Sequence, residues 1–384
     1  MNKKNKMYRL LSCLRVDIQE LPLRLFSYIC IFFPIQSKKV VIDYPNQRET
    51  NVVTEYLINA KEDFDIVWAI RNDKTYHEGV RLVKADSFRY VLELMTAGIW
   101  IDNSRKKNWV HKRNKQLYIQ TWHGAVFMKK IEKDAEDVLP AFYIKKAKHD
   151  STLIDYFVAE TKYIERSLKK TFWYEGKVLR GEFKDGIFQE IGRTKVMKSL
   201  HIKTGNHILL YVPTFRLDSN MECYDMNYEK VLDSLENKFG GNWSLIIRLH
   251  PNIAAKSDTI SFDERVINGT YYPDFGELIN ISDVLITDYS SCMFYGYRAK
   301  KNVFIYASDF DEYMTYDRGG YLDYADLPAS VSKTTDELVD NIYNFEENRY
   351  KEQVNKFNNV IGYYENNIMD QIMDIINKHI EMNA

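Results

Sequence analysis

Short apolar runs alternate with longer amphipathic segments from residue 39 onward. The runs Val40–Asp43, Phe64–Ile70 and Gly98–Asn103 are short and rich in β-branched and aromatic residues, which is typical of buried strands. The segments Asn51–Asn59 and Ser87–Ala97 repeat their apolar positions at helical spacing. Alternation of this kind predicts a parallel sheet with helices on both faces.

The pattern pauses near residues 190–205 and then restarts. Before the pause, further strands are predicted at Val80–Val83, Leu117–Thr121 and Tyr156–Ala159. After it, strands are predicted at Ile208–Val212, Trp243–Leu249, Val266–Ile267, Val284–Thr287 and Val303–Tyr306. The sequence therefore predicts an α/β protein with two Rossmann-like, doubly wound domains. Ligands of such sheets bind outside the carboxyl ends of the strands, and the absence of GxGxxG and Walker sequences argues against a usual dinucleotide fold.

The first 38 residues differ in character from the rest. A basic stretch precedes the apolar run Leu25–Ile35, which is shorter than the about 20 residues that span a bilayer. No small-residue cleavage site follows the run, which argues against a signal peptide. Two interpretations stay open: a peripheral segment on the anionic inner surface of a membrane, or a helix packed on the protein body.

Composition narrows the class of protein. The 384 residues are 45% hydrophobic and 28% charged with a net charge of −1, so no basic field indicates a nucleic-acid partner. The four cysteines form no CxxC pair, which favours a reducing cytoplasm. The sequence has no HExxH, no Cys/His cluster and no GxSxG, so we predict no metal site, no cofactor and no serine hydrolase, while metal dependence stays open.

Hydroxyl and acidic residues follow the strand Val284–Thr287. Asp288 predicts a turn, and Ser290 and Ser291 open a segment with helical character. The first N–H groups of a helix and the helix dipole favour an anion, so this segment predicts a phosphate cradle. An ordinary N-cap is the alternative, because Asp and Ser cap many helices.

Two histidines also follow predicted strands. His123 lies in QTWHG between Trp122 and Gly124, and His250 lies in RLHP before Pro251. A histidine at a strand end is placed for general acid–base chemistry near neutral pH. The alternative for each is a structural histidine bonded to a carbonyl group.

Other charged residues fall at strand ends and loops. Thr214 and Arg216 follow a strand and suit phosphate, and Arg318 beside Gly319 does so as well. The lysines after QTWHG, Lys129 and Lys130 among them, indicate either an anionic acceptor or a solvated helix face.

Together these segments resemble the CDP-glycerol glycerophosphotransferase family, whose members make teichoic acids and some capsular polymers. The resemblance spans roughly residues 40 to 345, and its motifs are QTWHG with KKIEKDA, YVPTFR, RLHPN, SDVLITDYSS and DFDEYMTYDRGGYLDY. It implies a GT-B architecture, two Rossmann-like halves facing across a cleft with the nucleotide held mainly by the second. The domains expected are a membrane-associating segment 1–38, an acceptor-side domain 39–195 and a nucleotide-binding domain 196–384.

The resemblance also implies an activity: transfer of glycerol phosphate from CDP-glycerol to a hydroxyl group of a lipid-linked polymer, with release of CMP, at the cytoplasmic face of the cell membrane. His123 is then the expected base and His250 a second catalytic group. The expected donor contacts are Trp122, Gly124, Thr214, Arg216, Pro251, Thr287, Asp288, Ser290, Ser291, Arg318 and Gly319, with Asp288 mainly shaping its turn. The expected acceptor-side residues are Lys129, Lys130 and Lys184.

The chain departs from the family pattern in three places. Gly181 is followed by Glu182 to Gly186 instead of Pro-Arg-Asn-Asp, Ala125-Val126 replaces Thr-Pro, and Tyr295 replaces an aspartate. These changes keep two alternatives open: a CDP-ribitol or nucleotide-sugar donor in capsular polysaccharide synthesis, and a non-catalytic scaffold.

Overall fold

The computed structural model describes residues 3–44, 48–71, 78–183, 192–216, 221, 224–316 and 320–383. The strands are β1 Gln36–Asp43, β2 Asp65–Ile70, β3 Arg81–Lys84, β4 Ala97–Asp102, β5 Leu117–Gln120, β6 Tyr156–Ala159, β7 Lys177–Arg180, β8 His207–Val212, β9 Trp243–Ile247, β10 Val266–Asn268, β11 Val284–Thr287, β12 Asn302–Tyr306 and β13 Val331–Ser332. The α-helices are α1 Lys3–Cys30, α2 Arg48–Ile58, α3 Phe88–Thr96, α4 Ala141–Ser151, α5 Lys162–Thr171, α6 Arg193–Ser199, α7 Tyr228–Phe239, α8 Phe275–Ile281, α9 Cys292–Arg298, α10 Phe310–Tyr316, α11 Thr335–Tyr343, α12 Glu347–Ile361 and α13 Ile368–Asn383.

The strands form two sheets whose described pairings are all parallel. The first has the order β3-β2-β1-β4-β5-β6-β7 and the second the order β10-β9-β8-β11-β12-β13. In each sheet the strand order reverses once, between β1 and β4 and between β8 and β11. The predicted doubly wound architecture is therefore confirmed, with β7 and β13 as strands that the sequence pattern did not reveal.

The chain divides into two compact units. The first comprises Met1–Ala125, Ile131–Phe183 and Tyr363–Ala384, and the second comprises Val126–Lys130 and Lys184–Gly362. Each unit has its own hydrophobic core of buried side chains. The core of the first unit includes Ile42, Ile99 and Ile119, and the core of the second includes Leu209 and Ile286.

These boundaries differ from the predicted ones at both ends of the chain. Helix α13 belongs to the first unit, although residues 196–384 were predicted as one domain. Ile368, Ile372, Ile376 and Ile380 lie four residues apart on α13 and are buried in the core of the first sheet, which explains the correction. Helix α1 also packs within the first unit, against α3 and α4, so residues 1–38 are not a separate segment.

Local sequence accounts for several helix ends near the predicted positions. The hydroxyl group of Ser87 accepts the N–H of Tyr90 and caps α3, as the sequence pattern predicted. The hydroxyl group of Thr161 caps α5 in the same way by accepting the N–H of Ile164. No helix of the described ranges is both long and apolar enough to cross a bilayer.

Candidate active site

His123 lies three residues beyond the end of β5, in a turn with unusual backbone angles. Trp122 has a φ of 58° and Gly124 a φ of 104°, both in the left-handed region that most side chains avoid. The N–H of Trp122 donates to the side-chain carbonyl of Gln120 (2.9 Å), and the N–H of Thr121 donates to the carbonyl of Asp102 (2.7 Å). These bonds to the ends of β4 and β5 hold a turn that the backbone would otherwise disfavour.

A single short hydrogen bond fixes the tautomer of His123. Nδ1 lies 2.6 Å from the main-chain carbonyl oxygen of Asn103. Because a carbonyl can only accept, Nδ1 carries the proton and Nε2 is left with a lone pair in the neutral ring. The side chain is exposed, yet desolvation by the surrounding protein lowers its pKa. The bond to Asn103 and the charge of Glu132 oppose this effect, and the charge of Arg105 adds to it. The imidazole is therefore neutral near pH 7, with Nε2 able to accept a proton.

The ring of Trp122 packs against His123. Trp122 is 6% exposed, and its ring is stacked on the imidazole with centroids 4.5 Å apart and an interplanar angle of 22°. Trp122 was predicted to contact substrate. In the structure its indole packs inside the first unit, edge-on to Phe172 at 4.8 Å, and contact of Trp122 with substrate stays a prediction.

In the second unit, the ends of β8 and β11 are tied together by Asp288. The hydroxyl and N–H groups of Thr214 donate to the Asp288 carboxylate at 2.6 and 2.9 Å, and the N–H of Tyr289 does so at 2.6 Å. Arg216 forms an ion pair with the same carboxylate at 3.0 Å. Burial nevertheless raises the pKa of Asp288. Asp288 thus accepts hydrogen bonds from three groups of the turns after β8 and β11, and its contact with the donor stays a prediction.

The guanidinium group of Arg216 is bonded to neighbouring residues of the second unit. Its Nε and Nη2 donate to the carboxylate of Asp309 at 2.6 and 2.9 Å, and Nη1 donates to the carbonyl of Thr214 at 2.5 Å. The guanidinium also lies 4.7 Å from the ring centroid of Tyr289, which stacks on Tyr313. Direct contact of Arg216 with a phosphate group stays a prediction, while its contacts support a role in holding the β8 and β11 turns together.

The serine pair sits at the start of α9. The side-chain oxygen of Ser290 accepts the N–H of Cys292 at 3.2 Å, whereas Ser291 occupies the cap position without a side-chain cap bond. Both serines are half-buried. The preceding Thr287 is fully buried, and its hydroxyl donates to the carbonyl of Val212 inside the sheet. Ser290 therefore satisfies one N–H group at the start of α9, as a capping residue would, and phosphate binding by the two serines stays a prediction.

His250 is half-buried in the second unit, three residues after β9. Its ring lies 4.8 Å from that of Phe215, which follows β8, and burial lowers its pKa. The structure thus brings His250 close to the turn that carries Thr214 and Arg216. Pro251 begins a 3₁₀ helix that ends at Thr259.

The predicted acceptor-side lysines are distributed differently from expectation. Lys129 belongs to the second unit, where its ammonium group donates to the hydroxyl of Tyr313 and lies 4.4 Å from that ring centroid. Lys129 also forms a β-bridge with Gly320, and Lys130 is exposed. Lys184, Arg318 and Gly319 lie outside the described residues.

Sequence reasoning missed two contributors to the His123 turn. The carbonyl of Asn103 is a main-chain group, so no side-chain pattern reveals it. Glu132, in the segment KKIEKDA, had a solvated helix face as its alternative, but it is fully buried with a φ of 52°. No group of three or more His, Cys, Asp or Glu residues suited to a metal ion occurs within the described ranges.

Two parallel, doubly wound sheets with polar side chains at the carboxyl ends of their strands define the class of GT-B-like folds. Residues 27–378 match the model of the family described as CDP-glycerol:poly(glycerophosphate) glycerophosphotransferase. This chain belongs to that family, and the resemblance inferred from its motifs is confirmed.

Individual relatives agree with the family match. The chain is 29% identical to the teichoic acid poly(glycerol phosphate) polymerase of Bacillus spizizenii, over 82% of this chain and 84% of that protein. It is 28% identical to the polymerase of the same description from Staphylococcus epidermidis, over 86% of this chain but only 48% of that protein. It is 27% identical to the teichoic acid glycerol-phosphate transferase of Staphylococcus aureus, over 76% of this chain and 79% of that protein.

A solved structure of the wall teichoic acid polymerase TagF has the same fold. It superposes with a TM-score of 0.80 at 23% identity, covering 100% of this chain and 99% of that one. A TagF structure from a 15 minute soak with CDPG gives the same TM-score of 0.80 at 23% identity and covers 100% of both chains.

Proposed function

We propose that this protein transfers glycerol phosphate from CDP-glycerol to a hydroxyl group of a lipid-linked teichoic acid or capsular polymer, with release of CMP. Family membership supports the reaction class, and the three relatives described above carry glycerol phosphate in their names. The observation that carries the mechanism is the 2.6 Å bond from Nδ1 of His123 to the carbonyl of Asn103, because it leaves Nε2 as a proton acceptor.

In the proposed reaction, Nε2 of His123 takes the proton of the acceptor hydroxyl. The freed oxygen attacks the phosphorus that carries glycerol, the bond from that phosphorus to the bridging oxygen of the pyrophosphate breaks, and CMP leaves with the bridging oxygen and the bonding electron pair. A base of lowered pKa is neutral at physiological pH and can accept this proton without first losing its own. General base catalysis of this kind contributes about 10² to 10⁴ in rate.

The donor pyrophosphate is assigned to the second unit. The strand order reverses between β8 and β11, and doubly wound sheets bind ligands at such a reversal. His250, Ser290 and Ser291 lie at the carboxyl ends of strands in this sheet and are proposed to contact the phosphates. Arg216 is proposed to hold the surrounding turns, since its guanidinium is already bonded to Asp309 and to the carbonyl of Thr214.

Helix α1 is proposed to hold the protein on the cytoplasmic face of the membrane. Its large apolar side chains recur every three or four residues and are exposed at Leu11, Leu14, Ile18, Leu21, Leu25 and Ile29, with Phe32 89% exposed just beyond the helix. The opposite face carries Ser27 and Cys30, both fully buried in the first unit. An apolar stripe on a packed helix fits insertion into the interfacial layer of a bilayer, where the lipid-linked acceptor resides.

The test is CMP release from CDP-glycerol with a lipid-linked acceptor mimic, comparing His123→Asn with His201→Asn. His201 is exposed and has a φ of 57°, which asparagine tolerates, so the second variant is a matched control. We expect turnover to fall about 10² to 10⁴-fold in His123→Asn and to persist in the control. Failure of CDP-glycerol to bind by calorimetry contradicts the proposal, and turnover with CDP-ribitol alone reassigns the donor.

A further inference from the structure

Three charged side chains form a buried cluster next to the His123 turn. Nη2 of Arg105 donates to Glu132 at 2.9 Å, and Nη1 donates to Asp150 at 3.1 Å. The side chains are at most 1% exposed. Taking three charges out of water costs free energy that well-packed apolar residues would not. The cluster therefore calls for an explanation other than stability.

Arg105 is in contact with the aromatic ring that packs against the histidine. Its guanidinium carbon lies 5.4 Å from the ring centroid of Trp122 and 5.1 Å from that of Phe172. Since Trp122 stacks on His123 at 4.5 Å, the position of the guanidinium is transmitted to the imidazole through one indole ring.

A second route joins the same cluster to the backbone of the turn. The hydroxyl of Tyr118 donates to Asp150 at 3.0 Å, and the side-chain amide of Gln120 donates to that hydroxyl at 3.0 Å. The side-chain carbonyl oxygen of Gln120 accepts the N–H of Trp122. The backbone of Trp122 is thus connected to Asp150 through the side chains of Gln120 and Tyr118, and its ring contacts Arg105 directly.

Glu132 is itself held in a disfavoured conformation. Its φ is 52°, and its carboxylate accepts the hydroxyl of Tyr143 at 2.6 Å in addition to the guanidinium. Residues held in sparsely populated backbone regions persist where the surroundings over-determine them, and they concentrate at functional sites. In this case Trp122 and Glu132 are both in that region, and both contact Arg105.

We propose that Arg105, held by Glu132 and Asp150, is a positioning residue that fixes the Trp122–His123 stack and thereby aims Nε2 of His123. This inference rests on the proposed function, in which His123 is the base. The charged groups that act on the imidazole are Glu132, which raises its pKa, and Arg105, which lowers it. Glu132 and Arg105 therefore influence both the place and the protonation of the ring.

The experiment compares Arg105→Lys and Glu132→Gln with Asp137→Asn in the full chain. Asp137 is exposed and five residues from Glu132, so its variant makes the same charge change as Glu132→Gln without touching the cluster. Two readouts are used: the kinetics of CMP release, and the NMR titration of ¹³C-labelled histidine without substrate, with His123 assigned by its loss in His123→Asn.

We expect Arg105→Lys to lower kcat about 10 to 100-fold with little change in KM for CDP-glycerol, because a misplaced base costs rate without weakening donor binding. We expect Glu132→Gln to shift the His123 titration and the acid limb of kcat/KM together to lower pH. The ring-current shift of His123 should change in Arg105→Lys and stay constant in Asp137→Asn. An unchanged kcat and an unchanged His123 resonance in a folded Arg105→Lys protein overturn the inference.

Two further outcomes separate this inference from the proposed function. If His123→Asn keeps full turnover, the proposed base is wrong, while the NMR titration still decides whether the cluster positions the ring. If Arg105→Lys does not fold, Tyr143→Phe removes one bond to Glu132 and leaves the three charges in place. A shift of the His123 resonance in Tyr143→Phe relative to the unaltered protein then supports the inference, and an unshifted resonance refutes it.

Discussion

Replacing two exposed apolar residues of α1 should weaken membrane binding by an amount that the structure lets us work out. Leu14 is 48% exposed and Ile18 69% exposed. Full burial of a Leu or Ile side chain is worth about 2 kcal/mol, so their exposed parts contribute roughly 1 and 1.4 kcal/mol on insertion. Alanine keeps about a quarter of that apolar surface, which leaves a loss of about 2 kcal/mol for the pair. The double variant Leu14→Ala/Ile18→Ala should therefore partition roughly 25-fold more weakly.

The assay is sedimentation of the full chain with vesicles that contain phosphatidylglycerol. Alanine has the highest helix propensity and the replaced side chains face solvent, so the unfolding temperature should stay constant. Val360→Ala/Tyr343→Ala is the matched control, since these side chains are 71% and 74% exposed on the second unit. The control should sediment like the unaltered protein. Equal partitioning of the α1 variant and the control would falsify the assignment of α1 as the membrane-binding face.

Two further variants test the interior charges. Burial raises the pKa of Glu93, but hydrogen bonds from Arg81 and Lys39 lower it to about 2. Because the pKa is lower in the folded protein, the ionised carboxylate stabilises the fold above pH about 4.5, and this stability is lost as the pH falls toward 2. Glu93→Gln should therefore destabilise the first unit by about 3 kcal/mol at pH 7, since Lys39 is left buried without the charge of Glu93. The variant should also lose less stability than the unaltered protein as the pH falls, which thermal unfolding from about pH 7 to about pH 2.5 measures. Arg216→Lys should lower both the unfolding temperature and CDP-glycerol affinity, because the guanidinium fork that holds Asp309 and the ion pair with Asp288 are lost. An unchanged unfolding temperature with weaker binding in calorimetry would show instead that Arg216 acts on the phosphates directly.

Short apolar strands were the part of the fold that sequence predicted well. A strand buried on both faces needs an almost continuous apolar run, and β4 and β11 each show one between polar turns. The predicted bounds of these strands match the structure within a residue or two. Helix α13 was assigned to the wrong unit for a related reason. Its isoleucines at every fourth position predict a buried face, but the spacing says nothing about which of two similar sheets that face covers.

The residues of the candidate site also differed in how well the sequence predicted them. Histidines, serines and threonine after strands were found because the end of a strand is visible in the sequence. The Arg105 cluster was missed because its partners are distant in the chain: Glu132 is 27 residues away and Asp150 is 45 residues away. Glu132 was further disguised by the lysines on either side, which make its segment look solvated. Only the folded backbone, with a φ of 52° at Glu132, turns that carboxylate inward.

Access to solvent decides which titratable group of the first unit can act as the base. Burial raises the pKa of Asp102 to about 7 in spite of Lys106, so by its pKa alone this carboxylate would be well tuned for proton transfer near neutral pH. Its side chain, however, is 1% exposed and is bonded to the ammonium group of Lys106 at 3.0 Å. Geometry comes before pKa in such a choice, because a base must come within hydrogen-bond reach of the proton it removes. His123 is exposed, and its tautomer is set by the Asn103 carbonyl. Asp102 therefore serves to anchor the end of β4, and the geometry supports His123 as the proposed base.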